Sequence, residues 1–334
     1  MIKKVALFGV LSIVLLLVIN NRTPFLQPEG GPWSVGFGKS AVFPHKIPVE
    51  KNPRYTLEQL KKQEDSTIFL ADPFFIKERD TFYLFVEHKK TKPNGDIALL
   101  TSVDGVNYNY KGTVLTEKFH LSYPQVFKYK NEFYMVPETK GAGHVLLYKA
   151  EHFPYGWKVC DTLVKNRILK DPSIFLSDTL NILVGSDDHL NMYLFEADSL
   201  FGKWMPHKKE KVLMGTEARA GGRFFADKKG LLLPVQNSTE GYGFGLSLYR
   251  FKFDKGNYTV NREYPFFLKK SETIKEFNAG MHQIDIQLIG GKYYYVYDGN
   301  RLQSSEQNLN IRGPLKWNYV DFKNWLYQQC ESFN

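Results

Sequence analysis

Five stretches of the chain share one ordering of apolar and polar positions. Each has an opening residue, an apolar strand, a short polar turn, and a second apolar strand closing on a fixed position. The opening and closing pairs are Asp72 and Glu87, Tyr123 and Glu138, Asp171 and Ser186, Gly221 and Gln236, and His282 and Tyr297. All five span 15 residues, and successive starts lie 51, 48, 50 and 61 residues apart. Polar turns such as Lys77-Glu-Arg-Asp80 and Ile289-Gly-Gly-Lys292 fall mid-segment, where a hairpin needs them. A third apolar strand follows each of the first four hairpins, at 96–102, 144–150, 191–197 and 244–251, and a more polar outer strand comes next, as at 108–115 and 157–164.

Four strands in a unit of about 50 residues make a propeller blade. The pattern therefore predicts an all-β fold, a five-bladed β-propeller with an N-terminal membrane anchor helix. The propeller occupies 23–334 as a single unit. A two-sheet sandwich is the structural alternative, but it does not account for a ruler repeated five times. The fifth repeat lacks its own third strand, and residues 33–40 are expected to supply it, closing the ring through the chain ends and removing exposed edges. Residues 301–334 read as a closing strand and a short amphipathic helix.

Composition supports this picture. Twenty Tyr, 26 Phe and 5 Trp make up 15% of the 334 residues; such side chains favour strands, and most fall in the repeated apolar segments. A chain of this length and apolar content is not disordered, and two cysteines are no disulfide framework.

Residues 1–22 stand apart. Lys3 and Lys4 precede an uncharged apolar run from Val5 to Ile19. The run is short for a bilayer, yet the Asn20–Asn21 flank offers no small-residue cleavage site. An uncleaved signal anchor is expected, with a cleaved signal peptide or a buried helix as alternatives. The lysines orient the N-terminus to the cytoplasm, with the propeller on the periplasmic, extracellular or lumenal side. The net charge is +9, and its lysines are dispersed, as on solvated strand edges. Without a binding motif, nucleic acid is not an expected partner.

If the first strand of each blade lines the axis, the opening and closing residues converge on one mouth. Asp72, Glu87, Glu138, Asp171, Gln236 and His282 meet there with Tyr123; Arg223 lies two residues inward, and His120 enters with blade two. Carboxylates crowded together raise one another's pKa values, the means by which acids and bases are made. A solvated polar channel is the plain alternative. The spacing supports no metal site from His120, His282 and Asp72, and phosphate-loop and dinucleotide motifs are absent, so neither metal nor cofactor is expected.

The phrases Ala71-Asp-Pro-Phe, His120-Leu-Ser-Tyr-Pro, Val136-Pro-Glu-Thr, Asp171-Pro-Ser-Ile and Ala218-Arg-Ala-Gly-Gly-Arg carry a resemblance. Over roughly 33–300 the chain resembles the N-terminal domain of plant glucosamine inositolphosphorylceramide transferases, which also occurs in stand-alone bacterial proteins. The plant proteins carry their transferase in a separate C-terminal domain, so the resemblance does not carry that activity over. More distantly, the Asp72 and Asp171 blade starts are similar to those of five-bladed family-43 and furanosidase-type glycosidases. That likeness implies a general base at Asp72 and a tuning carboxylate at Asp171. The general acid is implied at the start of blade four, where this chain has Ala220; Glu217 or Glu138 is the expected substitute.

Two functions follow. The first is a membrane-anchored carbohydrate-active enzyme, a glycosidase or glycosyltransferase acting on a glycan or glycolipid. Asp72, Glu138, Asp171 and Glu217 would be its catalytic groups. Glu87, His120, Tyr123, Arg223, Gln236 and His282 would bind substrate. The second is a non-catalytic glycan-binding or scaffold propeller serving a partner glycosyltransferase.

Overall fold

A computed structural model describes residues 2–19 and 23–331. Five antiparallel sheets surround one axis. In blade one the strands Thr67–Glu78, Thr81–Lys90, Gly95–Ser102 and Asn109–Leu115 run from the axis outward. Blades two and three repeat this order, beginning with Ser122–Tyr129 and Lys170–Leu176. Blade four differs: its innermost strand is broken into Arg219–Ala220 and Phe225–Asp227, both paired with Gly230–Asn237. The interruption falls at Gly221 and Gly222, where the backbone of blade five approaches closely. A Cβ on Gly222 would lie 1.9 Å from the Ile284 carbonyl oxygen.

Blade five is assembled from both ends of the chain. Ile284–Ile289 and Lys292–Leu309 form its inner hairpin, and Leu26–Ser40 adds the third strand, with Trp33 opposite Asn300 and Ser40 opposite Tyr293. The ring is thus closed by pairing of segments from the two ends of the chain. The N-terminal segment also contributes the short outer strand Arg54–Tyr55.

Rings fill the spaces between blades. Phe133 stacks on Phe153 at 3.8 Å, and Phe153 meets Tyr83 edge-on at 4.8 Å, joining blades one and two. Phe74, Phe85, Met135, Leu194 and Leu233, from four blades, belong to one fully buried cluster. Each such side chain contributes on the order of 2 kcal/mol by leaving water.

The hairpin register departs from expectation in a way that shapes the mouth. Ala71 faces Glu87, Ser122 faces Glu138, and Lys170 faces Ser186, with a register shift immediately after. Asp72, Tyr123 and Asp171 are therefore bulged out of their ladders, with φ of 51°, 52° and 46°. A left-handed conformation costs about 1 kcal/mol or more at a residue with a Cβ. Here it turns the opening residue out of the sheet.

The N-terminal run forms helix α1 (Ile2–Ile19), exposed along most of its length. At 18 residues it is about 27 Å long. Among the described residues, no helix is long and apolar enough to cross a membrane. The flank at 20–22, on which cleavage would depend, lies outside the described residues. The C-terminal helix is longer than expected: α3 (Arg312–Glu331) has 20 residues, while α2 (Leu57–Lys61) is a single capped turn.

Candidate functional site at the propeller mouth

The three bulges are held by carboxylates. The Asp72 N–H donates to Asp298 Oδ2 at 3.0 Å, the Tyr123 N–H to Asp72 Oδ2 at 3.2 Å, and the Asp171 N–H to Glu138 Oε2 at 3.2 Å. Acid groups from blades five, one and two thus each fix the first residue of the next blade. This is why the repeat places carboxyl groups at the axis.

Asp72, Glu87, Glu138, Asp171, Gln236 and His282 come together, all buried. Gln236 Nε2 donates to Asp171 Oδ2 at 2.8 Å. His120 stands at the rim with its side chain 40% exposed, its Nε2 3.4 Å from Glu87 Oε1, while its Nδ1 accepts the Gly95 N–H at 2.8 Å.

Three other candidates are corrected by their surroundings. Tyr123 is fully buried and does not line the mouth; its hydroxyl lies 2.7 Å from Ser173 Oγ, donates to the Gly222 carbonyl, and accepts the Gly222 N–H at 2.8 Å. The bulge swings its ring inward, where it ties blades two, three and four. Arg223 is a plug across the axis. Its guanidinium donates to both oxygens of Asp285 and to the carbonyls of Phe75 and Val126. Glu217 is held outside the cluster, accepting from Asn237, Ser247, Tyr249 and Arg262. Of the remaining repeat positions, Ser186 donates to the Ala218 carbonyl, and Tyr297 packs in the core beside Phe277.

Four more residues complete the site, three of them without any signal in the repeat. Arg219 donates its Nε to Asp171 Oδ2 and its Nη2 to Asp171 Oδ1 at 3.1 Å, with Glu138 3.8 Å away. Asp298 closes the fifth repeat. That hairpin is unbroken, Ile289 facing Lys292 and Ile284 facing Tyr297. The pair 15 residues apart is therefore Gln283 and Asp298, one position later than expected, and Asp298 stands where Glu87 and Glu138 stand in blades one and two. Its Oδ1 accepts the N–H groups of His282 and Gln283 and lies 3.0 Å from His282 Nδ1. Trp33, from the strand that closes the ring, stacks on the His282 imidazole at 4.0 Å. Tyr242, in the Gly-rich loop at 241–245, reaches His282 Nε2 at 3.1 Å and lies under the Arg219 guanidinium.

Five carboxyl groups thus face one arginine and one well-placed histidine. Burial first, then the neighbouring acids, moves protons onto the carboxyls: Asp72 is raised to about 7 and Glu138 to about 8, and Glu87 lies well above its ordinary value. Arg219 counteracts the rise at Glu138, and His282 does so at Asp72. Burial disfavours charge on His282, but Asp298 and Asp72 outweigh it and lift its pKa. The pKa of half-buried His120 is lowered, first by its partial loss of solvent and then by Lys89.

Asp72, His282 and Asp298 each present a ligand atom within 4.8 Å of the others. The Asp298 oxygens already accept three backbone N–H groups, so this trio reads as a proton-sharing network rather than an open coordination site. Chemically, the mouth offers a protonated carboxyl, a second carboxyl that titrates near neutrality, and a guanidinium. Such a set suits a ligand rich in hydroxyl groups.

A family model described as glucosamine inositolphosphorylceramide transferase 1, N-terminal, matches residues 32–300. Glucosamine inositolphosphorylceramide transferase 1 of Oryza sativa subsp. japonica is 33% identical over 320 residues, covering 86% of this chain and 42% of the relative. The Arabidopsis thaliana protein is 31% identical over 310 residues, covering 84% and 40%. The chain thus spans about two fifths of the length of these curated relatives. Among solved structures, a thermostable family-43 glycoside hydrolase superposes with a TM-score of 0.53 at 17% identity, covering 73% of this chain and 93% of that one. The catalytic domain of a Coprinopsis cinerea GH62 α-L-arabinofuranosidase gives 0.53 at 14% identity, covering 72% and 87%. These structural likenesses show the five-bladed fold and nothing finer. The match in sequence is of another order, and by it the chain belongs to the family of the glucosamine inositolphosphorylceramide transferase 1 N-terminal domain.

Proposed function

We propose that this propeller is a carbohydrate-active protein that holds a sugar or glycolipid head group at its mouth and carries out acid/base chemistry on a glycosidic bond. The observation behind this reading is the convergence of Asp72 and Glu138, from adjacent blades, on a buried mouth with a single arginine. Glu138, protonated at neutral pH, is the proton donor, and Asp72 is the base. Asp171 raises the Glu138 pKa while pairing with Arg219. Glu87, His120, Gln236 and His282 orient hydroxyl groups. The names of the curated relatives support a sugar or sugar-bearing lipid as the ligand class. Turnover should be assayed on a panel of glycans and glycolipid head groups with Asp72→Asn and Glu138→Gln, each expected to lose at least about 100-fold, the usual contribution of a general acid or base. Undiminished turnover in both variants would sink the enzymatic reading.

A second reading, a binding propeller serving a partner glycosyltransferase, draws on Ala220 and Arg219. A cation bridged to Asp171 stands where a proton donor would be expected. It predicts saturable glycan binding without product, weakened by Arg219→Met.

We further propose that α1 attaches the chain to a membrane, with the propeller on the side away from the cytoplasm. Its exposed apolar surface behind Lys3 and Lys4 supports this. Membrane fractionation of the full chain and of a chain lacking 1–22 checks it; equal solubility of the two would argue against attachment.

A further inference from the structure

Helix α3 is amphipathic, but inverted with respect to the solvent. At about 100° per residue, Tyr319, Phe322, Trp325 and Leu326 fall on one arc, and Val320 and Asn324 on the opposite one. The inner pair is buried at 6% exposure each, whereas the four apolar residues are exposed by 60%, 51%, 53% and 43%. Phe322 and Trp325 stack on each other at 6.1 Å. Lys316 and Lys323, both exposed, border the arc. A face made of Tyr, Phe, Trp and Leu, flanked by lysines, is what binds the headgroup region of a bilayer.

The arc also adjoins another apolar surface. Ile13, Leu16 and Leu17 of α1 and Tyr319, Phe322 and Trp325 of α3 line a common cleft of about 1040 Å³. An apolar helix beside an exposed apolar arc on one side of a ring exceeds what a soluble surface leaves to water. Both helices are joined to the mouth. Asp321 of α3 accepts the Thr216 N–H at 3.3 Å, three residues before Arg219. The Thr216 carbonyl accepts the Ser238 N–H, and Thr23, after α1, donates to the Thr239 carbonyl at 2.7 Å. Residues 238 and 239 lead into the loop that sets Tyr242 over the mouth.

We propose that α3 is an interfacial membrane helix. Its aromatic arc lies about 5–10 Å into the headgroup boundary of an anionic bilayer, beside α1, and holds the mouth-bearing face of the propeller at the lipid surface. The proposal rests on the membrane reading of α1 and adds a second contact that fixes orientation.

The test uses the full chain reconstituted in phosphatidylcholine vesicles with about 30% phosphatidylserine, with acyl chains brominated near the headgroup. Trp325 emission is obtained as the difference between wild type and Trp325→Phe. The expected result is co-flotation with quenching of about half or more of that emission, decreasing at least about twofold in a Lys316→Glu/Lys323→Glu variant. Flotation with Trp325 unquenched overturns the role of α3 while leaving the attachment by α1 intact. Unquenched Trp325 in a chain with the mass of a dimer overturns it in favour of a second copy on the same face. Failure to float at all overturns both readings.

Discussion

A carboxyl group carried from water into a mouth already holding other carboxyls is destabilised more as an anion than as an acid. Glu138 shows the consequence for the folded chain. It keeps its proton up to about pH 8, whereas the unfolded chain releases it near the ordinary value of 4.5. The folded state binds more protons across that window, so stability is full below it and falls as pH rises through it. We expect the thermal midpoint of the wild type to drop by roughly 5 °C or more from about pH 5 to about pH 8, and Glu138→Gln to remove much of that slope. A Glu138→Gln variant with the wild-type slope would show that the proton resides elsewhere. The same residue links architecture to chemistry, because one of its oxygens holds the Asp171 bulge while its proton is available at neutral pH.

At the level of the strand, the bulge explains which repeat positions become functional. In a regular hairpin the opening and closing residues would face each other. The one-residue shift instead turns Asp72 and Asp171 out of their ladders, where their carboxyl groups reach the next blade and the mouth. The same turn at Tyr123 buries a ring, because its phenol finds Ser173 and both backbone groups of Gly222. Tyr123→Phe should leave the Gly222 N–H without its partner and cost about 1–3 kcal/mol, measured by urea unfolding. It should leave ligand affinity unchanged, as expected of a residue that does not touch the ligand. A large loss of affinity at wild-type stability would restore Tyr123 to the binding surface.

For the molecule as a whole, the ring is closed by noncovalent pairing of the first strand with the last. Leu26–Ser40 is hydrogen-bonded to Lys292–Leu309 along most of its length and brings Trp33 to His282. Removal of residues 1–40 exposes two strand edges and the flank of His282, and should abolish the cooperative thermal transition. Removal of 1–22 should retain it, since no strand is lost. A cooperative transition in the shorter chain at the wild-type midpoint would mean that four blades and a hairpin suffice.

The ruler of 15 residues determined the fold class, the number of blades and the place of closure, because alternation of apolar and polar positions is a local property written along each strand. It also located the acids of the mouth, since ends of equivalent strands must meet around an axis. What it did not carry was direction. Arg223 and Glu217 have the chemistry of site residues, but their donors and acceptors are taken up by Asp285 and by Arg262, partners 62 and 45 residues away. Asp298 does sit on the ruler, 15 residues after Gln283, once blade five is read one residue later; Arg219, Tyr242 and Trp33 enter the site through a broken strand, a loop and a ring closure, none of which has a period. The residues that reach the mouth, and the sharing of protons among them, were decided by the tertiary structure, because side-chain direction and burial depend on neighbours that the chain brings together only on folding.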